Sequence, residues 1–235
     1  LSAAEFLAPD VEEVSPEVVP RMSLELVSME EAIAPQAYVP EHEMLLDDLG
    51  TALSRIILLS ASVDGTESVC RFLDALPSTT RLTFLLTHHL GRQSDAQLLE
   101  RLSGHGPLPV RLADAGRRAG MGEVLLVPGG QQVRLRRDGS MELQAQDTPE
   151  PSIDASLTMA AHAFGRNALA IVFAGRGNDA VAGSQAIHDR GGQVWVESSS
   201  GEHFADMVSA ILAERLVSFS GTPPELAARL IEVCS

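Results

Sequence analysis

The sequence predicts an α/β fold: a doubly wound, mostly parallel sheet with helices on both faces and one β-hairpin insertion. Three observations predict it. Short apolar runs recur along the chain, continuous rather than alternating, as strands buried on both faces are. Stretches with apolar residues at helical spacing separate them, which is the pattern of crossover connections. In the middle, two short strand-like segments flank an Asp-Gly pair, the signature of a tight hairpin.

The elements follow in order. Ile56-Ile57-Leu58-Leu59 is the first strand, and Val69, Phe72, Leu73 and Leu76 mark the helix after it. Residues 82–86 form the second strand, followed by a helix carrying Leu98, Leu99 and Leu102. Residues 132–135 and 141–144 flank Arg137-Asp138-Gly139 as the hairpin. Strand 168–173, a helix near 180–190, strand 194–196 and helices near 204–215 and 223–233 complete the pattern. Trp195 falls in a buried-strand context and reads as core. No internal repeat is visible. A domain spanning 51–235 is long enough to bury about 70% of its surface.

The charge divides the chain differently. Residues 1–50 hold twelve acids against one base, Arg21, and five prolines fall within the first forty. That segment self-repels and buries little apolar surface, so an acidic, Pro-containing linker or tail, disordered by composition, is expected there. Apolar pieces such as Met44-Leu45-Leu46 leave a partner-binding arm as the other reading. A linker at the start implies something upstream. The whole chain of 235 residues carries a formal charge of −15, which disfavours a phosphate-neutralising nucleic-acid binder. No run approaches the roughly 18 to 20 apolar residues of a membrane-spanning helix, so no membrane insertion is expected. Cys70 and Cys234 lie far apart and form no ligand or redox pair, and read as reduced thiols in a cytoplasmic setting.

In open α/β sheets ligands gather beyond the carboxyl ends of the strands, so the residues just after each strand carry the chemistry. After the first strand comes Ser60-Ala61-Ser62-Val63-Asp64-Gly65-Thr66-Glu67; after the second, Thr87-His88-His89; after strand 168–173, Ala174-Gly175-Arg176-Gly177-Asn178-Asp179. A hydroxyl loop, an imidazole loop and a carboxylate loop thus share one edge, the three roles of nucleophile, base and orienting acid. Each has a structural explanation as well: the serines and Asp179 as helix caps, a histidine as a satisfied polar residue. A nucleotide- or anion-binding domain is a further alternative, disfavoured because neither GxGxxG nor GxxxxGK[ST] is present. GxSxG is absent too. The remaining histidines have no ligand-spaced partners, so no metal and no cofactor are expected.

These same residues resemble the catalytic domain of the chemotaxis receptor methylesterases, the CheB-type family, as a divergent member. That family reads G-A-S-T-G-G-[TP]-E after its first strand, where Ser60 to Glu67 stand here. Its Q-H-M-P is matched by Thr87-His88-His89-Leu90, and its G-x-V-Y-I-A-P-G by Gly122-Glu123-Val124-Leu125-Leu126-Val127-Pro128-Gly129. P-S-[VI]-D before a helix is matched by Pro151-Ser152-Ile153-Asp154, and T-G-M-G-x-D-G by the segment from Ala174 to Ala180. Gly191-Gly192-Gln193-Val194 resembles the next strand entry, and Met207 stands at a family Met-Pro.

The resemblance implies hydrolysis of glutamate methyl esters on the cytoplasmic helices of methyl-accepting chemoreceptors, and in some members deamidation of receptor glutamines. It implies Ser62 as nucleophile, His88 as base and Asp179 as the residue holding the imidazole. Val63, Asp64, Gly175, Arg176 and Gly177 would line the oxyanion region. His89 is the alternative base, because neighbouring strand residues point to opposite faces and only one of the pair can reach Ser62. An upstream receiver-type regulatory domain is also implied. Val63 stands at a family threonine, Asp64 at a glycine, Arg176 at a methionine, and Leu90 and Val208 at prolines. Those departures leave a degenerate, receptor-binding adaptor as the alternative to an active esterase.

Overall fold

The structure, a computed structural model, describes residues 52–198 and 206–234; the acidic segment 1–50 lies outside the described residues. Seven strands form one all-parallel sheet. In chain order they are β1 (Ile56–Ala61), β2 (Thr83–His88), β3 (Val110–Leu112), β4 (Glu123–Leu126), β7 (Ala168–Val172), β8 (Gln193–Glu197) and β9 (Val217–Gly221). Their spatial order is β3-β4-β2-β1-β7-β8-β9. The hairpin is β5 (Gln131–Leu135) and β6 (Met141–Ala145), a separate antiparallel pair. Among the described residues, six α-helices complete the fold: α1 (Thr66–Asp74), α2 (Asp95–Ser103), α3 (Ile153–Phe164), α4 (Val181–Asp189), α5 (Asp206–Ala213) and α6 (Pro223–Cys234).

The period of two along each strand divides the core into two layers. Ile56 and Leu58 of β1 pack with Leu85, Leu157, Ile187 and Ile211, on the face covered by α3, α4 and α5. Ile57, Leu59 and Ala61 pack with Phe72, Phe84, Leu98 and Leu230, on the face covered by α1, α2 and α6. Phe72 anchors that second layer, meeting Phe84 and Phe173 edge to face at ring separations of 6.3 and 5.7 Å.

The chain leaves β1 towards β2 on one side and leaves β7 towards β8 on the other. Right-handed crossovers running in opposite directions place α1 and α4 on opposite faces, so β1 and β7 flank the switch point where such sheets open a crevice. The Asp-Gly hairpin forms as read. Gly139 donates to the Arg136 carbonyl at 2.9 Å and sits at φ +86°, a conformation glycine adopts without a side-chain clash. β4 was marked only by its match to the family segment at 122–129, and two strands carried no sequence signal. β3 spans three half-buried residues, and β9 alternates as an edge strand with a bulge opposite Val194 and Trp195. Among the described residues, no helix is long and apolar enough to cross a membrane.

Candidate active site

The 3-10 turn Val63–Gly65 carries the chain from β1 into α1. Ser62 starts it, 3% exposed, and its carbonyl accepts the Gly65 N–H at 2.9 Å. The Ser62 hydroxyl makes no hydrogen bond within the described residues. Gly175, in the loop after β7, lies so close that a methyl group there would overlap that hydroxyl. Only glycine lets the backbone of the third loop approach the serine this way.

Register decides which histidine shares a compartment with Ser62. Ser60 pairs with Thr87 and Ala61 with His88 along the parallel β1–β2 ladder, and the His89 N–H donates to the Ala61 carbonyl at 2.9 Å. Ser62 and His89 therefore continue the Ser60–Thr87 row, on the face of α3 and α4, whereas His88 belongs with Ala61 on the opposite face. The expected pairing of His88 with Asp179 is thus corrected. His88 is 0% exposed, with Nε2 2.9 Å from the Thr66 hydroxyl and Nδ1 2.6 Å from the His89 carbonyl. A carbonyl only accepts, so Nδ1 carries the proton and Nε2 accepts from Thr66. Burial drives the His88 pKa down to about 4, with His89 and Arg101 adding to the effect. The hydrogen bond to His89 and the Glu150 charge offset it only in part. This ring is a neutral structural brace.

His89 is the imidazole that meets the acid. Its Nε2 lies 2.9 Å from Asp179 Oδ2, with the ring one-fifth exposed, and its Nδ1 has no hydrogen-bond partner among the described residues. Asp179 is held from both sides: Oδ2 also accepts the Ile153 N–H and Oδ1 the Asp154 N–H, each at 2.8 Å. These are the first amides of α3, so the carboxylate also caps a helix N-terminus. Burial pushes the Asp179 carboxyl up, but the bonds from His89, Ile153 and Asp154 outweigh it and hold it below the ordinary carboxylate range.

The rim residues fall beside this group. Val63 is 45% exposed, and Arg176 Nε lies 3.5 Å from Asp64 Oδ2, so the carboxylate at the family glycine position has a cationic neighbour. Gly177 sits at φ +103° in the same loop. Three acidic residues gave no functional signal in the sequence. Glu150 accepts the Leu90 and Gly91 amides at 2.6 and 2.7 Å, one on each oxygen, fixing the chain just beyond His89. Glu197 links the Ser68 hydroxyl in α1 to the Ala174 amide ahead of Gly175, both at 2.9 Å. Asp154 spans the starts of α3 and α4; the sequence marked it only as part of Pro151-Ser152-Ile153-Asp154. No group of three or more His, Cys, Asp or Glu side chains placed to hold a metal occurs among the described residues.

The fold and this edge define a doubly wound parallel α/β domain with a buried serine, an imidazole and a carboxylate gathered at its switch point. Residues 57–230 match the profile described as CheB methylesterase, and the chain belongs to that family. A protein-glutamate methylesterase/protein-glutamine glutaminase of Geobacter sulfurreducens is 29% identical over 186 residues, covering 76% of this chain and 50% of the relative. One of Myxococcus xanthus is 30% identical over 176 residues, covering 72% and 51%. The chain spans about half the length of the curated relatives it matches. The crystal structure of the Thermotoga maritima CheB methylesterase catalytic domain superposes with a TM-score of 0.69 at 21% identity. The match covers 77% of this chain and 98% of that one, and the two share the fold.

Proposed function

We propose that residues 51–235 form a catalytic domain that hydrolyses glutamate methyl esters on the cytoplasmic helices of chemoreceptors, with Ser62 as nucleophile, His89 as general base and Asp179 as the acid that orients it. The observation that carries this reading is the 2.9 Å bond between His89 and Asp179 on the sheet face that also holds Ser62. With Nε2 committed to Asp179, Nδ1 is the nitrogen that takes the Ser62 proton as Oγ attacks the ester carbonyl. Methanol then leaves with that proton, and water, activated by the same nitrogen, releases the glutamate. The amides of Val63 and of the loop from Gly175 to Gly177 are the donors for the oxyanion, each worth about 3 kcal/mol in such sites.

On this reading the family's Q-H-M-P runs one residue later than the first match. His88 stands at its glutamine and Gly91 at its proline. Gly91 at φ +61° has a backbone that proline cannot adopt, and Glu150 holds the amide that proline would lack. The Arg176–Asp64 pair supports an active site rather than a silenced one, because it offsets the carboxylate two residues beyond the proposed nucleophile.

The names of the relatives suggest glutamine deamidation at the same centre, with ammonia as the leaving group in place of methanol. The proposal places the reaction in the cytoplasm, and extends the partners to a receiver-type regulatory domain. Fusing a receiver-type domain ahead of this chain and finding the rate unchanged by its phosphorylation would count against the latter. The central test is methanol release from a purified, methylated receptor cytoplasmic fragment. Wild-type chain should release it, and Ser62→Ala should lower the rate at least a thousandfold with the fold intact. Unchanged turnover in Ser62→Ala would refute the assignment.

A further inference from the structure

The start of α4 has no cap of its own. The residue in the capping position is Ala180, whose methyl group accepts nothing, and its backbone is at φ +105°, a left-handed conformation costly for a residue with a Cβ. Asp154, on the first turn of α3, supplies what Ala180 cannot. Its Oδ1 accepts the Gly183 N–H at 2.7 Å, the contact a capping side chain would make, and the Ala180 N–H at 3.0 Å, the second contact of a capping box. Gly183 makes the approach possible, since a Cβ there would stand 2.6 Å from Leu157 Cβ and 3.0 Å from Asp154 Cα.

The contact is reciprocal. While Asp154 caps α4 with its carboxylate, its own N–H donates to Asp179 Oδ1, and Asp179 caps α3. Two helix N-termini are thereby clasped by two carboxylates, and Asp179 is the residue immediately before the strained Ala180. We propose that Asp154 is a positioning residue: as the borrowed cap of α4 it fixes the Ala180 backbone and so holds the Asp179 carboxylate against His89. The electrostatics agree with this division of labour. Burial and the Asp179 charge raise the Asp154 carboxyl despite the Gly183 bond, whereas the bonds from His89, Ile153 and Asp154 hold the Asp179 carboxyl low. In kinetic terms the inference rests on the hydrolase reading above; in structural terms it does not.

The test uses the chain with Asp154→Ala, Asp154→Asn and Asp154→Glu, and two readouts. The first is methanol release from the methylated receptor fragment. The second is the His89 Nε2 proton in nitrogen-15-edited NMR spectra, assigned by its absence in His89→Gln. In Asp154→Ala, kcat should fall at least tenfold with KM within twofold, and the ring proton should vanish through solvent exchange. Asp154→Asn keeps an oxygen that accepts both amides and should restore both readouts. Should Asp154→Ala fail to fold, Asp154→Glu, which keeps the charge but moves the oxygens by one methylene, should lose the ring proton in its place. A ring proton and kcat unchanged in the alanine variant would overturn the proposal, as would an asparagine variant as damaged as the alanine one. If the wild-type chain releases no methanol, the hydrolase reading fails, and the ring proton alone decides the role of Asp154.

Discussion

Replacing His88 by glutamine, the residue at that place in the family pattern, alters how the stability of the domain depends on pH. In the folded chain the ring stays neutral down to a pKa of about 4, whereas an unfolded histidine titrates near 6.5. Between those values the unfolded chain binds a proton that the folded chain refuses, so stability is complete above about pH 6.5 and declines as the pH falls towards 4. At 1.36 kcal/mol per unit, the loss reaches about 2 kcal/mol by pH 5 and about 3 kcal/mol by pH 4. Burial is the main cause; the neighbours that modulate it are His89 and Arg101, which deepen the effect, and Glu150, which opposes it. Glutamine fills the site without titrating. Urea unfolding followed through Trp195, the single tryptophan and fully buried, measures both chains from pH 7.5 to 4.5. The wild-type curve should fall relative to the variant by about 2 kcal/mol between pH 7 and pH 5. Curves that run parallel across that window would refute the account of His88 as a buried, neutral brace.

Gly175→Ala puts a methyl group into the Ser62 hydroxyl; methanol release should drop at least a hundredfold, with a fall in Tm reflecting the overpacking, and a variant with wild-type turnover would contradict the close approach. Arg176→Ala leaves Asp64 unopposed beside the nucleophile, raising the barrier by about 1 kcal/mol, or about fivefold in kcat. Adding Asp64→Gly to that variant should return the rate, and a double variant as slow as the single one would show that the pair acts otherwise.

What the sequence disclosed depends on the distance over which each feature is encoded. The central strands announced themselves because burial on both faces leaves a local mark: residues 56–59 are apolar without a break, and 82–86 are interrupted only by Thr83. Edge strands leave a weaker one, and Val217-Ser218-Phe219-Ser220-Gly221 passes for a loop between two helices. That Ser62 and Asp179 fall on one edge of the sheet was legible because strand ends locate loops in this kind of sheet. The choice between His88 and His89 was not. Which of two adjacent strand residues shares a face with Ser62 follows from the register of β1 on β2, a property of the pairing that neither segment contains alone. Glu150 and Glu197 were hidden for a related reason. In sequence they look like solvent-facing acids, and only the assembled chain brings the Leu90, Gly91 and Ala174 amides to them.

The hairpin of β5 and β6 has a consequence for inheritance and engineering. It falls between the stretch that bears Ser62 and His89 and the stretch that bears Asp154 and Asp179. A polypeptide severed at the Asp138–Gly139 turn would leave the Ser62 hydroxyl with an unanchored ring on one piece and the anchor on the other. Chemistry would then report reassembly along the β1–β7 seam, which makes that turn the natural place to cut the domain into a complementation pair.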